Sequence, residues 1–155
     1  GFVSIRTITT KIETKKIFGS FNGDSITDAS FAVSATCTRA CVIEGHTESA
    51  FVSCGRPVEV DDVKKAMREF APKDILALPS APKRLITVHE DPYRPQPRLD
   101  RDADGGMTTS VGRIRKDNVL KNGVKYLLVS HNTVMGAGKG AVFVAEALQK
   151  LYGYI

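Results

Sequence analysis

The chain has 155 residues, 42% of them hydrophobic and 25% charged, enough for one globular domain with an adequate core. It starts at Gly1 without a methionine, carries no basic leader followed by a long apolar run, and has no stretch able to span a bilayer, so the expectation is a soluble, cytoplasmic protein. A net charge of +5 and a pI near 9.2 suit anionic ligands. Nucleic acid is disfavoured, because the basic residues are scattered in twos among acids and form no aromatic-studded stripe. The odd cysteine count and the wide Cys37/Cys41 spacing fit neither a secreted disulfide framework nor a paired metal motif; Cys37, Cys41 and Cys54 read as reduced apolar fillers, and no metal site is expected.

Along the chain, Thr9 to Phe18 reads as a connector helix ending at Gly19, and Gly19 to Asp28 as a loop. Phe31 to Ile43 follows as a strand-like run in which Phe31, Val33, Ala35, Cys37, Arg39, Cys41 and Ile43 share one face. A guanidinium on that face needs an anion, either a ligand or a neighbouring carboxylate such as Glu44 or Glu48, unless it reaches out to water. A turn at Gly45 then brings His46, the side chain best suited to proton transfer near neutral pH, to the start of a second strand, His46 to Cys54.

Val58 to Phe70 repeats Val60, Val63, Ala66, Met67 and Phe70 at helical spacing, with acids in the first turn and bases later, and should pack on a sheet. Arg84 to Val88 is a short strand, and Asp91 to Gly106 a proline-rich polar loop. Met107 to Arg115 and Val124 to Val129 predict a hairpin through the turn Lys121-Asn122-Gly123. The last helix follows Gly136-Ala-Gly-Lys-Gly and is expected to bury Val142, Ala145, Leu148 and Leu151. That glycine run is not a phosphate loop, since the Walker pattern would need glycine at Thr133 and Ser or Thr at Gly140. Its glycines serve either close packing or backbone approach to a ligand. The fold class is α+β, a mixed, mainly antiparallel sheet covered by helices on one face, in a single domain over residues 1–155.

Four stretches, in order, carry a resemblance: SATCTRACVIEGHTESAFV around Arg39 and His46, LPSAP at Leu78 to Pro82, RPQPRLDRD with SVGRIR between Arg94 and Arg115, and SHNTVMGAGKGA from Ser130 to Ala141. The chain resembles the aspartate-semialdehyde dehydrogenase family in its archaeal and fungal branch, and within it the C-terminal catalytic and dimerisation domain of glyceraldehyde-3-phosphate-dehydrogenase-like fold. The resemblance implies an NADP-dependent enzyme that reduces aspartyl-β-phosphate to aspartate semialdehyde, a step towards lysine, threonine and methionine. It implies a homodimer or higher homo-oligomer, with a second subunit covering the open sheet face, and a small-molecule substrate together with phosphate, without nucleic acid or membrane. By the same resemblance Arg39 holds the substrate carboxylate, His46 transfers protons, and Asn132 and Gly136 lie at the cofactor.

The chain departs from the family where Thr38 replaces the Asn before the substrate arginine and where Lys139 stands in the glycine-rich segment. Relatives carry a Glu-x-x-Lys-like substrate grip before the connector helix, whereas Gly1 to Thr10 has no acid. The nucleophilic cysteine of the family and its Rossmann domain have no counterpart here, so the chain alone is expected to be inactive. The rival readings are a silent dimerisation or ligand-binding module and a related acyl-phosphate or acyl-thioester reductase.

Overall fold

A computed structural model describes residues 5–153, which form two compact units, Gly1–Cys41 and Val42–Ile155. In the first unit, helix α1 spans Ile5–Ile17, with Lys15 and Lys16 in the last turn where the helix dipole favours cations. It begins before Thr9, the start expected from sequence, and takes in β-branched Ile5, Thr7 and Ile8, whose weak intrinsic helix preference argues against helix there. Residues Gly1 to Ser4, part of the Gly1 to Thr10 stretch that carries no acid for the family's substrate grip, lie outside the described residues. The two short strands β1 (Ser20–Phe21) and β2 (Ile26–Thr27) pair antiparallel. Their turn is held by Asn22, whose Oδ1 accepts from the amides of Asp24 and Ser25 at 3.1 and 2.9 Å, with Gly23 at φ 105°.

The run from Phe31 to Ile43 forms no strand, which corrects the sequence expectation. Alternation makes the chain extended but does not supply a hydrogen-bonding partner, and none of these residues joins a ladder. The period of two survives only as partial burial of Val33, Ala35 and Cys37 between exposed neighbours. Cys41 is exposed rather than a filler. Within the first unit the run is tied to α1 by the 3.7 Å contact of Thr10 Oγ1 with Cys37 Sγ.

In the second unit a four-stranded sheet has the order β3-β6-β5-β4, from β3 (His46–Ser53), β4 (Ile86–Val88), β5 (Thr109–Asp117) and β6 (Gly123–Ser130). It is mainly antiparallel, β4 alone running parallel to β5. Helix α2 (Val60–Arg68) lies on β4 and β5, on the face that bears Val88, Val111 and Lys116, and Lys116 reaches Glu59 at the start of α2 at 2.8 Å. Two one-turn helices, α3 (Lys73–Leu76) and α4 (Pro97–Asp100), and α5 (Gly138–Tyr152) complete the unit. Met107, Val111, Ile114, Val124, Val129 and Phe143 are the buried apolar residues of the core.

The β5–β6 hairpin closes as expected, but its turn is organised by Asp117. The carboxylate accepts the amides of Leu120 and Val119 at 2.8 and 2.9 Å and pairs with Lys125 at 3.0 Å. The Leu120 amide, then Lys125, then the Val119 amide lower its pKa to about 2. A register shift between Gly112 and Arg115, with Arg113 at φ 55°, bends β5. There the Asp91–Gly106 loop reaches the sheet face opposite α2, so that a Cβ on Gly112 would stand 2.3 Å from the carbonyl oxygen of Arg94. Gly112→Ala is expected to cost about 1–3 kcal/mol by overpacking. A thermal melt unchanged from the parent chain would refute that packing.

Helix α5 buries a different stripe from the one its sequence predicts. Gly140 and Phe143 are buried, whereas Val142, Leu148 and Leu151 are 53%, 39% and 58% exposed. Glu146 sets this rotation: its carboxylate accepts the amide and hydroxyl of Ser80 at 2.9 and 2.8 Å, drawing that side of the helix onto the Leu78–Pro82 segment. Two hydrogen bonds to a carboxylate outweigh the small difference between alternative apolar stripes.

Candidate active site at one end of the sheet

His46 opens β3 and lies opposite Ser130, the last residue of β6, while β4 and β5 begin at the same end of the sheet. Sheet pairing therefore brings the His46 turn next to the segment that follows β6, which contains His131, Asn132 and Gly136. The turn itself is tight: Glu44 and Gly45 have φ of 53° and 94°. Gly45 is buried, and a Cβ there would meet the Cβ atoms of Arg101 and Pro97 at 3.3 and 3.4 Å. His46 is exposed.

The loop against this turn is anchored by Asp100, 1% exposed. Arg94 binds it with two donors, Nε at 2.8 Å from Oδ2 and Nη2 on Oδ1, the Gln96 amide donates to Oδ2 at 2.6 Å, and His89 Nε2 lies 3.2 Å from Oδ1. Burial pushes the Asp100 carboxyl up, but the hydrogen bonds from Arg94 and Gln96 and the charges of His89 and Arg94 prevail and leave it below the usual carboxylate range. From this anchor Arg101 extends to the turn, its Nη1 donating to the Ile43 carbonyl at 2.7 Å.

His131 organises the other side. Its Nδ1 accepts the amides of Thr133 and Val134, each at 3.2 Å, which assigns its proton to Nε2, 3.5 Å from Asp102 Oδ1. Asn132 projects from the same segment, exposed and without a side-chain hydrogen bond among the described residues. Gly136 follows, and a Cβ there would lie 2.4 Å from the Asn132 carbonyl oxygen; at Gly140 it would lie 2.0 Å from that of Met135. Close packing of the loop on itself thus requires both glycines. Gly138 differs, because its Cβ would meet only the Thr133 oxygen, at an ordinary 3.6 Å.

Of the four residues read from the sequence, His46, Asn132 and Gly136 belong to segments at this end of the sheet of the second unit. Arg39 belongs to the first unit, exposed and without an ion pair among the described residues. Sequence reading passed over Asp100, Arg101, Asp102 and His131. The dense alternation of charge and proline in Arg94 to Asp102 was their signal, but a run of charges gives no hint of which member is buried.

The family profile described as "Semialdehyde dehydrogenase, dimerisation domain" matches residues 4–135. This chain belongs to that family. It is 47% identical to the aspartate-semialdehyde dehydrogenase of Archaeoglobus fulgidus over 138 residues, 89% of this chain and 39% of the relative, and 44% identical to that of Candida albicans over 88% of this chain and 39% of the relative. Among solved structures it is similar to the Candida albicans aspartate-semialdehyde dehydrogenase with NADP, at TM-score 0.81 and 40% identity, covering 96% of this chain and 43% of that one. It is also similar to aspartate-semialdehyde dehydrogenase II complexed with ASA from Vibrio cholerae, at TM-score 0.74 and 27% identity over 96% and 38%. The chain thus spans about two fifths of the length of the curated dehydrogenases it matches. The α+β fold of the second unit is that of the semialdehyde dehydrogenase family, and no described helix is long and apolar enough to cross a membrane.

Proposed function

We propose that the chain is the substrate-binding, proton-transferring and dimerisation part of an NADP-dependent aspartate-semialdehyde dehydrogenase that acts in the cytoplasm on the route to lysine, threonine and methionine. The observation that carries this reading is the likeness to the NADP-bound Candida albicans enzyme across 96% of the chain, and the start of β3 at His46 beside the end of β6, from which the Asn132 segment continues, supports it. NADP, when bound, accepts or supplies the hydride. The chain fits such a group, since the exposed Asn132 amide offers both donor and acceptor beside the exposed Gly136, Gly138 and Lys139.

Arg39 grips the substrate carboxylate with two parallel donors. His46 takes the proton of the attacking thiol and returns a proton as the tetrahedral intermediate collapses. The family resemblance puts the thiol in the nucleotide-binding domain rather than at Cys37, Cys41 or Cys54, and Cys54 lies beyond the far end of β3, about 26 Å from His46 along an eight-residue strand. The pure chain is therefore expected to be silent in NADP reduction with aspartate semialdehyde and phosphate, while the enzyme containing it turns over. Turnover by the chain alone, abolished by substituting Cys37, Cys41 or Cys54, would overturn this assignment.

The sheet also proposes a homodimer. Strand β3 is an edge strand, with Phe51 and Val52 59% and 37% exposed on its two opposite faces, an apolar edge that a second copy would cover. Sedimentation at micromolar concentration is expected to give a dimer; a folded monomer would count against it.

A further inference from the structure

The polar groups around the His46 turn form one connected path. Arg101 Nη1 holds the Ile43 carbonyl at 2.7 Å, its Nε holds Asp102 Oδ2 at 3.1 Å, and Asp102 Oδ1 lies 3.5 Å from the protonated Nε2 of His131. His131 Nδ1 in turn caps the amides of Thr133 and Val134. We propose that Arg101 is a positioning residue for the dehydrogenase reaction, which sets His46 against the Asn132 loop through the path Ile43–Arg101–Asp102–His131. This rests on the functional reading given above.

Three observations carry it. First, Glu44, just before Gly45, takes φ 53°, a left-handed conformation that a non-glycine residue rarely adopts and that its surroundings must hold. Second, Arg101 adds a polar hold to the packing: its stem closes with Pro97 on the buried Gly45 while its head group donates to Ile43. The other polar group of the turn, Glu44 Oε2, is buried without a donor among the described residues, so it offers no substitute. Third, a planar guanidinium has separate donors for Ile43 and Asp102, and Arg101 uses both at once. Arg101 is itself held in place by its neighbour Asp100, whose buried carboxylate pins the loop from Arg94 onward. A shift of about 1 Å in a proton-transfer group costs up to about a hundredfold in rate.

The test uses the full-length enzyme with Arg101→Gln, Arg101→Lys and Asp102→Asn. Arg101→Gln should lower kcat about 10- to 100-fold, leave KM for aspartate semialdehyde and NADP within about twofold and the melting temperature nearly unchanged, and displace the kcat pH profile. Arg101→Lys should restore part of kcat, because an ammonium can reach Ile43 but does not hold Asp102 in the same plane. The rate at which diethyl pyrocarbonate modifies His46, followed on its peptide by mass spectrometry, should change severalfold in Arg101→Gln. Parental kcat together with parental His46 labelling would overturn the proposal, as would a kcat loss that follows the melting temperature with labelling unchanged. If Arg101→Gln does not fold, Asp102→Asn decides on the same readouts. A parent enzyme inactive on aspartate semialdehyde would instead refute the functional reading, and the labelling comparison would still decide the role of Arg101.

Discussion

Replacing Arg39 by lysine in the intact enzyme should lower kcat/KM about 30- to 1000-fold, although the positive charge is retained. Lysine keeps a point charge and loses the planar pair of donors that fixes a carboxylate in one orientation. Loss of such a charge-assisted contact is worth roughly 2–4 kcal/mol when it persists into the transition state. His46→Asn should behave differently, with kcat falling about 10²- to 10⁴-fold and substrate binding nearly intact, as removal of a proton-transfer group requires. Steady-state kinetics on both variants, with thermal melts as the folding control, separate the roles. Parental kinetics in a normally folded Arg39→Lys enzyme would make Arg39 a surface residue without a catalytic part.

Asp100→Asn is the substitution expected to cost most stability. The side chain is 1% exposed and accepts two donors of Arg94 and the Gln96 amide, with His89 Nε2 3.2 Å from Oδ1. Asparagine keeps the volume but removes the charge and turns one acceptor into a donor facing other donors. The loss should be roughly 3 kcal/mol, the low end for breaking a buried pair, because 27% of the Arg94 side chain remains in solvent. For a domain of this size that corresponds to a fall of about 6–12 °C in Tm. The pH dependence has a definite sign. The folded-state pKa of Asp100 lies below its unfolded value, so its stabilisation is complete above the unfolded pKa of about 3.9 and is lost as pH falls through the folded value. The gap between parent and Asp100→Asn should be full at pH 7 and narrow steadily below pH 4. An equal gap across that range would show that the charge is not what stabilises the loop.

Both substitutions rest on features with very different legibility. Arg39 stood out because a charged residue interrupts an apolar alternation, and His46 because it follows a glycine turn. Asp100, which the fold depends on more directly, sits in a run with Arg94, Arg98, Arg101, Asp102 and Asp104. Composition cannot distinguish the one buried carboxylate from its exposed neighbours, because burial is decided by what the loop folds onto.

Local pattern determined much of this protein. The apolar spacing from Val60 to Met67 specifies α2, and Asp117 with Asn122-Gly123 closes the β5–β6 hairpin, since each depends on the chemistry of neighbouring residues. Ordered motifs likewise marked the family and the residues His46, Asn132 and Gly136. Tertiary structure decided everything that needs a distant partner. The alternating run from Phe31 to Ile43 has strand character but no strand to pair with, and so forms none. Helix α5 turned away from its expected apolar stripe because Ser80, 66 residues earlier, binds Glu146. The path from Ile43 through Arg101 and Asp102 to His131 spans 88 positions, taken from 131 less 43. Only pairing of β3 with β6 brings its ends together, because hydrogen bonds act over about 3 Å in space and carry no trace in sequence of the separation they close.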